Sequence, residues 1–82
     1  MIKVLFFARL REQLSTSSIE VQASENLTTG LIRQQLAQTD ELWTKAMSAE
    51  SLLVAVNQQI TGWSQQVNDG DEVAFFPPVT GG

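Results

Sequence analysis

The chain lacks the residues on which many enzyme active sites depend. Its 82 residues include no cysteine and no histidine. Without cysteine there is no disulfide, no thiolate metal site and no thiol nucleophile. Without histidine the chain also lacks the commonest general base and the commonest metal ligand. We therefore expect no catalytic triad and no metal site.

Basic residues are also scarce. Five Lys and Arg stand against nine Asp and Glu, which gives a net charge of −4. Nucleic-acid surfaces depend on clustered cations, so this balance argues against a nucleic-acid partner and agrees with docking on a basic protein. No run approaches the ~20 apolar residues of a membrane span, and residues 1–8 alternate like a strand rather than a signal peptide. We expect a cytoplasmic protein with no membrane contact.

Hydropathy patterns predict an α+β fold. Apolar alternation predicts strands over residues 1–8, 19–23, 52–56, 60–63 and 72–76. Apolar residues at helical spacing predict a main helix over 28–38 and a short second helix over 40–47. Thr28 is the predicted N-cap of the first helix, and Thr39 or Asp40 that of the second. Gly30 weakens the first turn by about 1 kcal/mol relative to alanine. Residues 9–18 are polar and predict the connection of a hairpin.

The order of these elements predicts a β-grasp, or ubiquitin-like, domain over residues 1–78. Two strands, a helix and further strands suit a mixed sheet of about five strands with its helices on one face. The first and last strands are apolar on both sides, so we expect them to be central neighbours. Residues 79–82 follow as a tail.

Carboxylates cluster at Asp69, Asp71 and Glu72. Such a cluster could hold a hard cation. An Asp-Gly pair between two strands is more typical of a tight turn, because glycine tolerates a positive φ. We therefore predict a turn at this point and no metal site.

The last residues suggest where chemistry takes place. Pro77 and Pro78 end the final strand because proline donates no ladder hydrogen bond. The four residues beyond them can extend ~13 Å, and two terminal glycines can pass a narrow channel. Adenylation of the Gly82 carboxylate by ATP would give a mixed anhydride, from which a sulfur donor could displace AMP. Small terminal residues are common, so the hypothesis depends on their position at the end of a short tail that follows the strand and the two prolines.

Residues 68–82, ending in Phe-Phe-Pro-Pro-Val-Thr-Gly-Gly, resemble the MoaD family of molybdopterin synthase small subunits, and residues 1–8 and 54–58 resemble it too. The similarity is weak over residues 10–50, and Gly30 departs from the family pattern. The resemblance implies that an E1-like enzyme, MoeB, adenylates Gly82 and that a sulfur donor such as a cysteine desulfurase then produces a thiocarboxylate. No cofactor stays bound, since ATP and AMP are held only through the activating enzyme.

The resemblance also implies a partner and an assembly. Val79, Thr80 and Gly81 would thread into the large subunit, MoaE, and deliver the sulfur to cyclic pyranopterin monophosphate. Two carriers would flank a MoaE dimer as a heterotetramer, and the catalytic side chains would belong to MoaE. The carrier itself would be a non-catalytic, sulfur-donating subunit.

Parity along the strands predicts a docking surface. Alternate residues of the first and last strands, namely Val4, Phe6, Val73 and Phe75, are expected to face the helix. Phe7 and Phe76 then lie on the opposite face, and Ile60 could join them. The family uses a hydrophobic patch at these matching positions. Arg9 and Arg11 could pair with partner carboxylates, although solvated surface charge is the simpler interpretation. Trp43 and Trp63 are assigned to packing.

Three alternatives share these features. A sulfur carrier of another pathway, such as ThiS in thiamine synthesis, ends in the same Gly-Gly. A ubiquitin-like protein modifier uses the same activation and then forms an isopeptide bond with lysine. A non-covalent interaction module would leave the tail idle.

Overall fold

Residues 1–78 fold into one five-stranded sheet and three helices. The computed structural model describes residues 1–78. The predicted roles of Val79, Thr80, Gly81 and Gly82 fall on residues outside the described part. The strands are β1 Ile2–Phe6, β2 Ser18–Val21, β3 Leu53–Val56, β4 Gln59–Thr61 and β5 Glu72–Phe76; the helices are α1 Ala8–Leu14, α2 Thr29–Ala37 and α3 Glu41–Met47.

The sheet has the order β2-β1-β5-β3-β4. β1 and β5 pair in parallel, and the other three neighbouring pairs are antiparallel. The prediction that the first and last strands are central neighbours is therefore confirmed. This arrangement brings the end of β5, from which the tail continues, to the middle of one end of the sheet.

One face of the sheet is covered by the helices and forms the core. Alternate residues of β1 and β5 are buried there, because successive strand residues point to opposite faces. The phenylalanines Phe6 and Phe75 stack with ring centroids 6.0 Å apart. Trp43 meets Phe6 edge-on at 5.3 Å, and Trp63 stacks on Phe75 at 6.0 Å. The two tryptophans thus pack against the core, as predicted.

The polar connection predicted between the first two strands is wrong in part, because residues 8–14 form α1. Leu10 and Leu14, four residues apart, are both buried and anchor this helix against the core. Ser15, with a left-handed φ of 51°, ends it. The hairpin of β1 and β2 is therefore joined through a helix.

Both predicted helices begin close to where the sequence places them. The Thr28 hydroxyl accepts a hydrogen bond from the Leu31 N–H, which confirms Thr28 as the N-cap of α2. The Asp40 carboxylate accepts one from the Trp43 N–H, so Asp40 rather than Thr39 caps α3. None of the helices within residues 1–78 is long and apolar enough to cross a membrane.

Candidate functional site

The described chain ends beside the centre of the sheet. β5 ends at Phe76, just before the two prolines. Near this end of the strand, the N–H of Phe7 donates to the Phe75 carbonyl at 3.2 Å. Pro77 is half-buried and Pro78 is exposed. Because proline cannot extend the ladder, the backbone is released from the sheet here. We call Pro77 and Pro78 the tail root.

The sheet face opposite the helices carries an apolar row that runs across four strands. In register, Leu5 of β1 lies beside Ala74 of β5, Ala74 beside Ala55 of β3, and Ala55 beside Ile60 of β4. Phe76 lies beside Leu53 in the adjacent row, nearer the tail root. Phe7 continues the alternation of β1 onto the same face. The outer face is therefore the set Leu5, Phe7, Leu53, Ala55, Ile60, Ala74 and Phe76.

The three residues predicted to dock a partner are thus brought to one side of the molecule. Ile60 is 69% exposed and Phe7 is 44% exposed, whereas Phe76 is half-buried between its neighbours. Exposed apolar side chains that cluster in this way are typical of interaction surfaces. Their role in binding stays a prediction.

The docking prediction from the sequence did not include the other four members of the outer face. Leu5 and Ala74 have the same parity as Phe7 and Phe76, so their side of the sheet was available from the sequence. Leu53 and Ala55 depend on the register of β3 against β5, in which Ala55 meets Ala74. Strand pairing between distant segments is what the sequence alone leaves open.

The outer side of the sheet becomes charged away from the tail root. Lys3 lies beside Glu20 of β2 and Glu72 of β5 in the register of the three strands. This charged row is at the start of β1, whereas Phe7 and Phe76 are at the opposite end. The apolar surface is therefore concentrated at the end of the sheet that carries the tail.

Residues 68–71 form a turn, as predicted, and the N–H of Asp71 donates to the Asn68 carbonyl at 3.0 Å. Gly70 has a φ of 90°, and the Asp71 carboxylate accepts hydrogen bonds from the Asn68 N–H at 2.8 Å and the Asn57 amide at 3.1 Å. Asp69 pairs with the Met1 ammonium, whose hydrogen bond and positive charge lower the pKa of Asp69. Within residues 1–78, no group of three or more His, Cys, Asp or Glu residues is arranged to hold a metal ion.

A polar cleft of about 340 Å³ lies beside Ile60, but its lining offers little chemistry. Five of the lining side chains are amides, and Asp71 is the one titratable group among them. Side-chain amides do not ionise near neutral pH, so the lining of this cleft provides no pair of acid and base groups. The described residues therefore provide surfaces for docking, and the candidate reacting group remains the Gly82 carboxylate outside them.

Sequence comparison finds a family model and relatives that match the chain. The ThiS family model matches residues 4–82. The chain is 49% identical over 82 residues to the molybdopterin synthase sulfur carrier subunit of Escherichia coli (strain K12), and the match covers 100% of both chains.

Solved structures share the fold. SAMP1 from Haloferax volcanii superposes with a TM-score of 0.79 at 23% identity, covering 99% of this chain and 98% of that one. In the complex of subunits 1 and 2 of the molybdopterin-converting factor from Helicobacter pylori, the matched chain gives a TM-score of 0.69 at 23% identity, with 99% and 97% covered. These similarities confirm the predicted β-grasp arrangement.

Proposed function

The chain belongs to the ThiS family, as a sulfur carrier of molybdopterin synthase in molybdenum cofactor biosynthesis, and we propose that its working group is the carboxylate of Gly82. The observation that carries this proposal is the full-length match at 49% identity to a sulfur carrier subunit. The sequence adds a Gly-Gly end, separated by only two residues from a central strand and two prolines.

The chemistry needs no side chain from this protein. A carboxylate is a poor electrophile, and adenylation at an activating enzyme of the E1 type converts the Gly82 carboxylate into a mixed anhydride. The outer sulfur of a persulfide donor, such as a cysteine desulfurase, then attacks the acyl carbon and displaces AMP to give an acyl disulfide, and a thiol reductant supplies the two electrons that release the thiocarboxylate. ATP and AMP are held at the activating enzyme only. The absence of cysteine and histidine from the chain is consistent with this role as a reagent.

The proposed partner is the large subunit of molybdopterin synthase, MoaE. The Helicobacter pylori structure of similar fold is a complex of subunits 1 and 2 of the molybdopterin-converting factor. In our proposal the outer face packs on the large subunit, and Val79, Thr80 and Gly81 enter its active site. There the thiocarboxylate donates sulfur to cyclic pyranopterin monophosphate, in a cytoplasmic heterotetramer with two carriers.

The decisive experiment changes only the tail. We expect deletion of Gly82, or addition of one residue after it, to abolish sulfur delivery to the pterin, because the reacting carboxyl is then misplaced or altered. The thermal transition should be unchanged, because the tail follows the folded residues 1–78. Molybdopterin formation that survives either change would refute the role of Gly82.

Mass spectrometry tests the chemistry directly. The intact chain from cells competent in cofactor synthesis should carry about 16 Da of extra mass, the replacement of one carboxyl oxygen by sulfur after activation. The chain without Gly82 is the matched control and should lack this species. Blotting for high-mass adducts separates the protein-modifier alternative, in which the carboxyl forms an isopeptide bond instead.

A further inference from the structure

A small cleft beside the tail root is flanked by two cations. It has a volume of about 120 Å³, and the side chains of Arg9 and Lys45 line it together with Pro77. Its remaining lining residues are Leu10, Gln13, Ala46, Ala49, Ser51 and Leu52. α1 thus contributes one cation and α3 the other, at the end of the sheet where β5 is followed by the prolines.

These two cations have no acidic partner in the described part of the chain. Neither Arg9 nor Lys45 has a carboxylate of residues 1–78 within 4.0 Å; the ion pair found there joins the Met1 ammonium to Asp69. Glu41, one helical turn before Lys45 on α3, is no exception. In an acidic chain with five basic residues, two cations that have no carboxylate partner within residues 1–78 create a local positive potential beside the cleft.

Another basic residue shows the contrast. Arg33 donates hydrogen bonds to the carbonyls of Met47 at 2.5 Å and Ala49 at 2.8 Å, and its guanidinium lies 4.4 Å from the ring centroid of Trp63. Arg33 is therefore used to join α2 to the end of α3. Arg9 and Lys45 are exposed and make no such contacts among the described residues, so their charges are available to an incoming group.

The size and lining of the cleft indicate which kind of chemical group it can bind. Leu10, Ala46 and Leu52 are buried and provide an apolar floor, which strengthens an ion pair formed above it by excluding water. Sites for nucleotides and other small ligands usually occupy about 300–1,000 Å³. A cleft of about 120 Å³ suits a single side chain instead. A carboxylate is the side-chain group that an arginine fork and a lysine can bind together.

We propose that this cleft receives an aspartate or glutamate side chain of the molybdopterin synthase large subunit. The proposal depends on the proposed function, because it takes the large subunit to be the protein that receives the tail. Pro77 belongs both to the tail root and to the cleft wall, and Phe7 of the outer face precedes Arg9 by two residues. The cleft lies on the helical side of the sheet, at the end where Pro77 follows β5, so a partner that covers the outer face and takes up the tail reaches the cleft by extending past Pro77.

The test measures binding of the full chain to the large subunit by calorimetry, at about 50 mM and about 300 mM salt. We expect Arg9→Gln and Lys45→Gln each to raise the dissociation constant about fivefold at low salt, and the double variant about twentyfold. The double variant should also show a weaker salt dependence. Lys3→Gln is the matched control, because it removes the same charge at the opposite end of the sheet, and it should change the constant by less than about twofold.

Three results would overturn the proposal. The first is an unchanged dissociation constant in the double variant. The second is an equal effect of Lys3→Gln, which would indicate net charge alone. The third is amide chemical-shift changes around Arg9 and Lys45 on addition of AMP or inorganic phosphate, lost in the double variant while its partner binding stays normal, which would make the cleft a phosphate site. Failure of the proposed function is distinguished by the wild-type chain, which would then show no thiocarboxylate mass whatever the binding data.

Discussion

At the scale of single residues, Gly30 shows how a missing methyl group lets a helix approach a loop. Its N–H donates to the Trp63 carbonyl at 2.8 Å, and a Cβ built on it would lie 2.7 Å from that same oxygen. The neighbouring Thr29 donates from its N–H to the Gln65 carbonyl and from its hydroxyl to the Gly62 carbonyl. The loop thus satisfies N–H groups that the first turn of a helix leaves unpaired.

We predict that Gly30→Ala destabilises the protein by about 1–3 kcal/mol. Alanine has the better helix propensity by about 1 kcal/mol, but its methyl group must push away a backbone carbonyl and weaken a hydrogen bond. Chemical denaturation gives the free energy of unfolding. Gly62→Ala is the control, because a Cβ there meets nothing within 4 Å, and it should stay within about 0.5 kcal/mol. A Gly30→Ala variant more stable than the parent would show that helix propensity outweighs the contact.

The sequence could predict the position of Gly30 in the helix but not its contact with Trp63. A glycine in a first helical turn is unfavourable, so Gly30 stands out, and the Thr28 cap identifies the start of the helix. Its contact, however, lies 33 residues further along the chain at Trp63. No local sequence pattern identifies Trp63 as the partner, because the contact results from the packing of α2 on the loop that leads to β5.

At the scale of elements, the loop of the β3–β4 hairpin requires an unusual backbone conformation. Its two loop residues, Asn57 and Gln58, both have a positive φ, of 49° and 70°. Two-residue loops with both residues in this conformation match the twist of a hairpin and favour Asn-Gly. Asn57 suits the first position, and its side chain also accepts from the Glu72 N–H and donates to Asp71. Gln58 has a Cβ that opposes this conformation.

We therefore predict that Gln58→Gly stabilises the fold by about 0.5–1 kcal/mol. Removing the Cβ relieves the left-handed strain, and this gain exceeds the added entropy of the unfolded chain. Gln59→Gly, one residue later at the start of β4, should instead destabilise by a similar amount, because a strand gains nothing from glycine. Thermal melts of the two variants should move in opposite directions, and a common shift would contradict the explanation.

Some elements are easier to predict from the sequence than others. β5 was predicted with its observed bounds because alternation runs unbroken from the Asp-Gly turn to the prolines. α1 was missed because it has no capping side chain: Phe7 stands at its N-cap, and Ala8 begins it with a left-handed φ of 56°. Leu10 and Leu14, at a spacing of four, were the available signal, but two apolar residues in a polar stretch are a weak one.

At the scale of the whole molecule, the two faces of the sheet and the tail are distinct parts of the protein. One sheet face is fixed by the helices, the other is apolar at the tail end and charged at the far end, and the tail continues from the central strand. Parity along β1 and β5 was enough to predict Phe7 and Phe76 on the open face. Ile60 needed the pairing of β4 with β3, where it meets Ala55, so its place depended on tertiary structure.

This arrangement predicts which substitutions break the complex without harming the carrier. Phe76→Ala should weaken binding to the large subunit by about 2 kcal/mol if Phe76 is a central anchor. Because Phe76 is half-buried, its thermal transition must be measured alongside. Ile60→Ala is the cleaner variant, since the side chain is 69% exposed in the free chain, and we expect a loss of about 1 kcal/mol in binding with little change in stability.

Leu31 provides the matched control for these binding measurements. It is also an exposed apolar side chain, 44% accessible, but it belongs to α2 on the helical side of the sheet. Leu31→Ala should leave the dissociation constant of the complex unchanged, because a partner on the outer face does not reach it. If calorimetry finds that Leu31→Ala weakens binding as much as Ile60→Ala does, the large subunit covers α2 instead, and the outer face loses its assigned role.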